Sequence, residues 1–343
     1  MIPTQLMEGI PSELRDGARC VLLLNSHAEG FATPTSDVDM MVVRSVAADG
    51  AQTERWTQVL HGSTRFDVHV LGDDDLQEKL RNIPRPLNMA SLTFGHMIRS
   101  ARPLVGADQW NELMLNFDVK SFDREATQLH FNRLHDIVED VVGSFASDDM
   151  ESAALGGQLL LASAIDGYLA AYGLTNPRPK WRICKLRAEP LLGDLVLQAY
   201  RQFEFGDMSA VLSGPARGLV QRLEFARFLQ LATVMPSVCA GSLRDLCNSR
   251  NPKYAHPSYA MASMLGDDFV ISNPGPRCRV GRFDLLVWLL WPYCDTSATI
   301  RRLMGEAASH YETTDRRFSG DVAGAIELSI AKLSKLSLFD IKA

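Results

Sequence analysis

The sequence has no Cys-x-x-Cys pair, and none of its six cysteines (Cys20, Cys184, Cys239, Cys247, Cys278, Cys294) has a histidine at zinc-finger spacing. A zinc ribbon is thereby excluded, and the cysteines read as reduced thiols of a cytoplasmic protein. Long apolar runs are missing too. The longest, FDLLVWLLW at 283–291, falls well short of the roughly 20 residues a bilayer span needs, so a buried core helix or strand is expected and no membrane partner. MIPTQLMEGIPSELRDG at the N-terminus has no basic stretch followed by an apolar one, so no signal peptide is expected. Basic charge is in the minority, 35 Lys and Arg against 41 Asp and Glu for a net charge of −6. No global field draws extended nucleic acid to such a chain. Internal repeats and low-complexity tracts are absent as well.

What remains is an ordinary globular composition, 46% apolar and 22% charged over 343 residues, long enough for two domains with a core each. In the first hundred residues, VLLL (21–24), VDMMVV (38–43) and RFDVHVL (65–71) are strand-like runs bounded by turn residues. Residues 51–60 (AQTERWTQVL) read as helix, and 73–82 begin with Asp73, Asp74 and Asp75, an acidic cluster suited to a helix N-terminus. Beyond residue 110 the period is helical. Leu129, Leu134, Ile137, Val138, Val141, Val142 and Phe145 recur on one face, and an apolar helix is predicted over 152–174. Further helices are predicted at 190–203, 214–235, 281–293, 297–308 and 320–337. The Pro, Asn, Ser and Gly-rich stretch 248–280 reads as a long surface loop. A cut between 110 and 111 divides an α/β domain, 1–110, from a mainly helical one, 111–343.

The stretch LNSHAEGFATPTSDVDM (24–40) stands out. In an extended strand Asp37 and Asp39 project to the same side, and two carboxylates that close repel unless a cation sits between them. Hard oxygen donors in that arrangement suit Mg2+ or Mn2+. A third carboxylate, Asp67, lies opposite the apolar Phe66, Val68 and Val70 on a later run. If the two strands pair, three carboxylates converge on one or two metal ions. The Asn25-Ser26 turn offers the Ser26 hydroxyl and backbone amides to a phosphate, with a helix predicted from about His27 to Phe31.

These residues resemble the nucleotidyltransferase family of the DNA polymerase β superfamily: a Gly-Ser turn, about ten residues, Asp-x-Asp, then a third Asp. The chain keeps Ser26, Ala28, Gly30, Ser36, Asp37, Asp39 and Asp67, with Asn25 where the family has glycine. Asn is the residue after glycine best able to take a left-handed turn. HMIRSARPLVG (96–106) is similar to the segment closing the catalytic domain of small antibiotic nucleotidyltransferases, and LLASAIDGYLAAYGLTNPRPKWRICKL (160–186) to a helix and Pro-Lys-Trp segment of minimal ones. The resemblance implies an α+β fold, a small nucleotidyltransferase domain with a mixed sheet followed by a mainly helical acceptor-binding domain. It implies Asp37, Asp39 and Asp67 as catalytic metal ligands, Asn25, Ser26, Ser36 and Lys180 as nucleotide contacts, and Mg2+ (or Mn2+) with ATP as the expected cofactor and donor. The expected reaction moves AMP to a hydroxyl of a small-molecule acceptor. Only 28 positions separate Asp39 from Asp67, and fewer than 25 residues precede the turn, which by resemblance suits small-molecule or minimal enzymes.

Plainer roles compete for several residues. Asp37 and Asp39 alone could cap a solvated turn, and Lys180, Trp181, Arg182 and Lys185 could be a basic helix start around a core indole. His27 could face the triphosphate, and His69 could border the site or serve as a structural histidine. His130 and His135 are five apart and share no helix face. Asp166 could have a core partner or could deprotonate an acceptor. The alternative to an enzyme is a nucleotide-binding regulator of the same fold without turnover. Asn25 favours it, and three retained, mutually repelling acids argue against it.

Overall fold

The computed structural model describes residues 7, 10–45, 54–83, 85–204, 215–234, 254–255, 259–265, 268–272, 277–293, 300, 302–304, 317, 320–338 and 340–341. Two compact units result, Met1–Glu125 with Thr175–Cys184, and Ala126–Leu174 with Lys185–Ala343. The expected cut between 110 and 111 lies inside the helix Ala107–Met114, and the first unit also takes in 175–184 from far along the chain.

Five strands form the first unit's sheet: β1 (Ala18–Leu23), β2 (Val38–Arg44), β3 (Arg55–His61), β4 (Thr64–Gly72) and β5 (Arg102–Val105). Their order is β3-β4-β2-β1-β5; β2 and β4 run parallel and the other neighbours antiparallel. Period-two alternation puts Val21, Leu23, Val38, Met40, Val42, Phe66, Val68 and Val70 in one core cluster. Cys20, Leu22, Met41, Val43 and Leu71 on the opposite face are buried too. Helix Asp73–Arg81 packs on β2 and β4, and helix Ala107–Met114 on β1 and β5. Burial on both faces is why VLLL and VDMMVV read as unbroken apolar runs. Each such side chain contributes about 1.5–3 kcal/mol by leaving water.

Residues 55–60, expected to be helical, form strand β3 instead; 51–53 lie outside the described residues. This strand closes the sheet edge and is largely exposed, Trp56 and Leu60 included, so it shows little inward apolar period. Its hairpin to β4 turns at Gly62, with φ of 61°.

The second unit is mainly helical. Val119–Ala146 enters it from the first unit, followed by Met150–Ala171, Gly193–Glu204, Pro215–Val234, Arg282–Leu290 and Val322–Lys335. Met150–Ala171 is long and apolar enough to cross a bilayer, but 72% of its apolar window is packed inside the protein, as a core helix requires. FDLLVWLLW lies in the buried helix Arg282–Leu290 and the short turn after it. Of the run predicted at 297–308, residues 300 and 302–304 are helical and the others lie outside the described residues.

The expected loop at 248–280 carries strands. β7 (Met261–Leu265), β8 (Asp268–Ser272) and β9 (Arg277–Val280) form an antiparallel sheet, and β6 (Tyr254–Ala255) pairs with β10 (Asp340–Ile341). Phe269 and Ile271 alternate inward on β8, a period that the turn-forming residues between the strands dilute in any composition window. Residues 248–253, 256–258, 266–267 and 273–276 lie outside the described residues. The fold is α+β, a mixed-sheet unit followed by a mainly helical one.

Candidate functional site

Strand register builds the site. Asp39 on β2 pairs directly with Asp67 on β4, and Asp37 precedes β2 on the same side. The three carboxylates are partly exposed, and one oxygen from each lies within 4.8 Å of the others.

The turn after β1 adds the next group. Asn25 takes φ of 50°, and its side chain hydrogen-bonds to Asp39. Helix Asn25–Glu29 thus starts two residues earlier than expected, because Asn25 absorbs the left-handed turn that would otherwise require glycine. The helix stops at Gly30, with φ of 78°, where the Gly30 and Phe31 amides both donate to the Ser26 carbonyl. Ser26 is buried. Ser36 Oγ accepts from the Thr33 amide at 2.9 Å while the Ser36 amide donates to the Thr33 carbonyl, a closed turn that delivers Asp37.

Titration follows from that crowding. Burial pushes Asp39 above its ordinary pKa; the Asn25 hydrogen bond opposes this and the Asp37 charge adds to it. Asp67 is raised by burial and then by its hydrogen bond with Asp37, against the pull of Arg65. Burial also works upward on Asp37, but hydrogen bonds from Arg65 and Asp67 outweigh it and hold that carboxyl low. The two shifts run in opposite directions because Asp37 takes the stronger contact with Arg65 while Asp67 meets the Asp37 charge.

Does this set fit divalent cations? Among the described residues Asp67 Oδ1 is buried without a hydrogen-bond partner, with Arg65 Nε 3.5 Å away. An orphaned acceptor beside two more hard oxygen donors fits Mg2+ or Mn2+.

No family model matches the chain, and no curated protein matches it. Among solved structures it is similar to a nucleotidyltransferase-like protein from Exiguobacterium sibiricum, at 14% identity over 68% of this chain and 78% of that one, with a TM-score of 0.36.

Several groups around the carboxylates carry no obvious sequence signal. Arg65 pairs with Asp37 and lies 3.5 Å from Asp67, and Gln58 on β3 hydrogen-bonds to Asp67. Arg65 shares the strand face of Asp67 two residues away, a spacing that does not say which carboxylate it meets. The Arg178 charge reaches Asp39 from the distant 175–184 segment, and only a long-range contact could have revealed it. Glu29 anchors that segment: its Oε1 accepts from Asn176 Nδ2 at 2.6 Å and lies 3.1 Å from His96 Nε2, while His96 Nδ1 lies 3.0 Å from Thr175 Oγ1.

Lys180 is exposed, with its ammonium 4.7 Å from the ring centroid of the buried Trp181, which lies 5.8 Å from Phe31. His27 Nε2 is buried without a hydrogen-bond partner among the described residues. His69 stacks on Trp56 at 3.9 Å and lies 3.0 Å from Glu54; burial pushes its pKa down, with Glu54 opposing. In the second unit Asp166 pairs with the buried Lys185 at 3.3 Å, and His135 Nδ1 lies 2.7 Å from Ser272 Oγ. Asp73 accepts an ion pair from Arg19 at 2.6 Å. Of the cysteines, Cys20, Cys184 and Cys278 are free thiols; Cys239, Cys247 and Cys294 lie outside the described residues.

Proposed function

We propose that the chain is a nucleotidyltransferase that moves a nucleoside monophosphate, AMP from ATP, to a hydroxyl of a small-molecule acceptor and releases pyrophosphate. The observation that carries this reading is the convergence of Asp37, Asp39 and Asp67, with ligand oxygens within 4.8 Å of one another, beside the Asn25-Ser26 turn. Asp37 and Asp39 are the residues to hold Mg2+ or Mn2+, with Asp67 completing the set. When bound, such ions neutralise phosphate charge and orient an in-line displacement.

The remaining work falls to the chain. Asp67, beside the metal position, helps to activate the acceptor hydroxyl and takes its proton as the oxygen attacks the α-phosphorus. The bond from that phosphorus to the bridging oxygen breaks, and pyrophosphate leaves with the electron pair. Asn25 fixes Asp39 through its side chain. Ser26 with its neighbouring amides, Ser36 and Lys180 are the nucleotide contacts of this proposal, and Arg178 adds positive charge on the Asp39 side. Phosphoryl transition states are loose and charge-rich, so positioning and electrostatics carry most of the acceleration.

One observation favours the second reading, a nucleotide-binding regulator without turnover. Arg65 supplies Asp37 and Asp67 with a counter-ion from within the chain, so three acids can persist without a catalytic metal. Thermal unfolding with each of four nucleoside triphosphates, with and without magnesium, separates the two. A ligand at about 100 times its Kd adds about 2.7 kcal/mol. Magnesium-dependent stabilisation by one triphosphate, lost in Asp37→Asn, supports the enzyme. Stabilisation that ignores magnesium and Asp37→Asn supports the regulator.

A further inference from the structure

Arg65 belongs to the same strand face as Asp67 and stands two residues before it, so the backbone delivers its guanidinium to the carboxylates. Nη2 bonds Asp37 Oδ2, and Nε lies 3.5 Å from Asp67 Oδ1. The side chain is 54% exposed, so its hold on the site comes from charge more than from packing. Asp67 Oδ1, its more distant partner, has no hydrogen bond among the described residues.

We propose that Arg65 is a tethered cation that opposes binding of bare divalent ions and assists binding of a metal-triphosphate complex. This rests on the metal-dependent reading above. A bare ion must displace the guanidinium and leave it unpaired beside a new double charge. A metal-triphosphate complex performs an exchange instead: the metal takes the carboxylates, and phosphate oxygens accept the guanidinium N–H groups in the bidentate geometry arginine favours. One side chain therefore pushes the two affinities in opposite directions. The device keeps the site from filling with metal before a nucleotide arrives.

Calorimetric titration of the full chain tests this, with Mn2+ alone and with preformed Mn2+-tripolyphosphate at low ionic strength. Arg65→Gln is expected to tighten Mn2+ alone by about threefold or more and to weaken Mn2+-tripolyphosphate by a similar factor, magnitudes suited to a half-exposed ion pair. Arg65→Lys, which keeps the charge but not the fork, is expected to stay near wild type for Mn2+ alone and to lose part of the tripolyphosphate affinity. Two affinities that move together in Arg65→Gln, or that do not move, overturn the proposal. So does an Arg65→Lys protein that matches Arg65→Gln with Mn2+ alone. Wild-type binding that is lost in Asp37→Asn but indifferent to Arg65 removes this inference and leaves the metal site standing. No binding by any of the proteins removes both.

Discussion

Asp39 faces Asp67 on the same rung of the parallel β2–β4 pair, two like charges in adjacent strands. Aspartate is a poor strand former, and like charges directly opposite destabilise a sheet. The arrangement therefore works against folding while concentrating negative charge at one point. Val38, Met40, Phe66 and Val68, fully buried on the other face, hold the register despite it.

Asp67→Asn removes one of the opposed charges. Stability in a chelator should be unchanged or higher by up to about 1 kcal/mol, while magnesium-dependent stabilisation by nucleotide disappears. Thermal unfolding in both conditions reads the two effects. A clearly less stable variant would mean that Asp67 serves the fold, not a metal.

Asn25 joins backbone and site. Asn25→Gly preserves the left-handed turn and loses only the hydrogen bond to Asp39, so denaturant unfolding should show a loss of about 0.5–1.5 kcal/mol at most. Asn25→Ala loses the same bond and strains the turn, adding about 1–2 kcal/mol. Equal stability of the two variants would contradict the conformational role.

Three of the five strands (β1, β2 and β4) and the direction of the three carboxylates were legible because both rest on period two, whereas β5 had no such run to announce it. Apolar residues at 38, 40 and 42 and at 66, 68 and 70 fix which way Asp37, Asp39 and Asp67 project. β3 was not legible, since an exposed edge strand has no inward face to reveal it. Arg65 obeys the same period as Asp67, but a charge on a strand says nothing by itself about which carboxylate it meets. Asn176 meets Glu29, and the Arg178 charge reaches Asp39, each across more than a hundred residues. A window along the chain cannot contain such a contact.

Asp284 predicts an acid-sensitive second unit. It accepts from Arg317 at 2.8 Å, Ser329 at 2.6 Å and Lys332 at 2.7 Å. Burial pushes its pKa up, but the Lys332 and Ser329 hydrogen bonds and the two positive charges outweigh burial and hold it below the ordinary value. A depressed folded pKa means that the stabilisation is fully present above the unfolded pKa of about 3.9 and fades as pH falls through the folded one. Urea unfolding between pH 6 and 2.5 should show wild type losing more stability below about pH 4 than Asp284→Asn. At neutral pH the variant should be about 1.5–3 kcal/mol weaker. Parallel curves would mean that Asp284 contributes no proton linkage.

Asp166 and Lys185 separate a structural carboxylate from a catalytic one. Lys185 is 1% exposed, and its ammonium meets Asp166 Oδ1 at 3.3 Å in the core of the second unit. Removing one partner leaves the other charge buried without its ion pair, so Asp166→Leu and Lys185→Met should each cost up to about 3–5 kcal/mol. The double variant removes both charges and supplies apolar volume, so most of that loss should return. Both residues have further polar partners, which keeps the recovery short of complete. If Asp166 instead took a proton from an acceptor, the double variant would regain stability yet lose turnover. A pair that only holds the fold gives recovery of stability together with magnesium-dependent nucleotide binding and, once an acceptor is found, of rate. Urea unfolding of the two single variants and the double variant decides the structural half, because three losses that simply add would show that the charges do not stabilise each other.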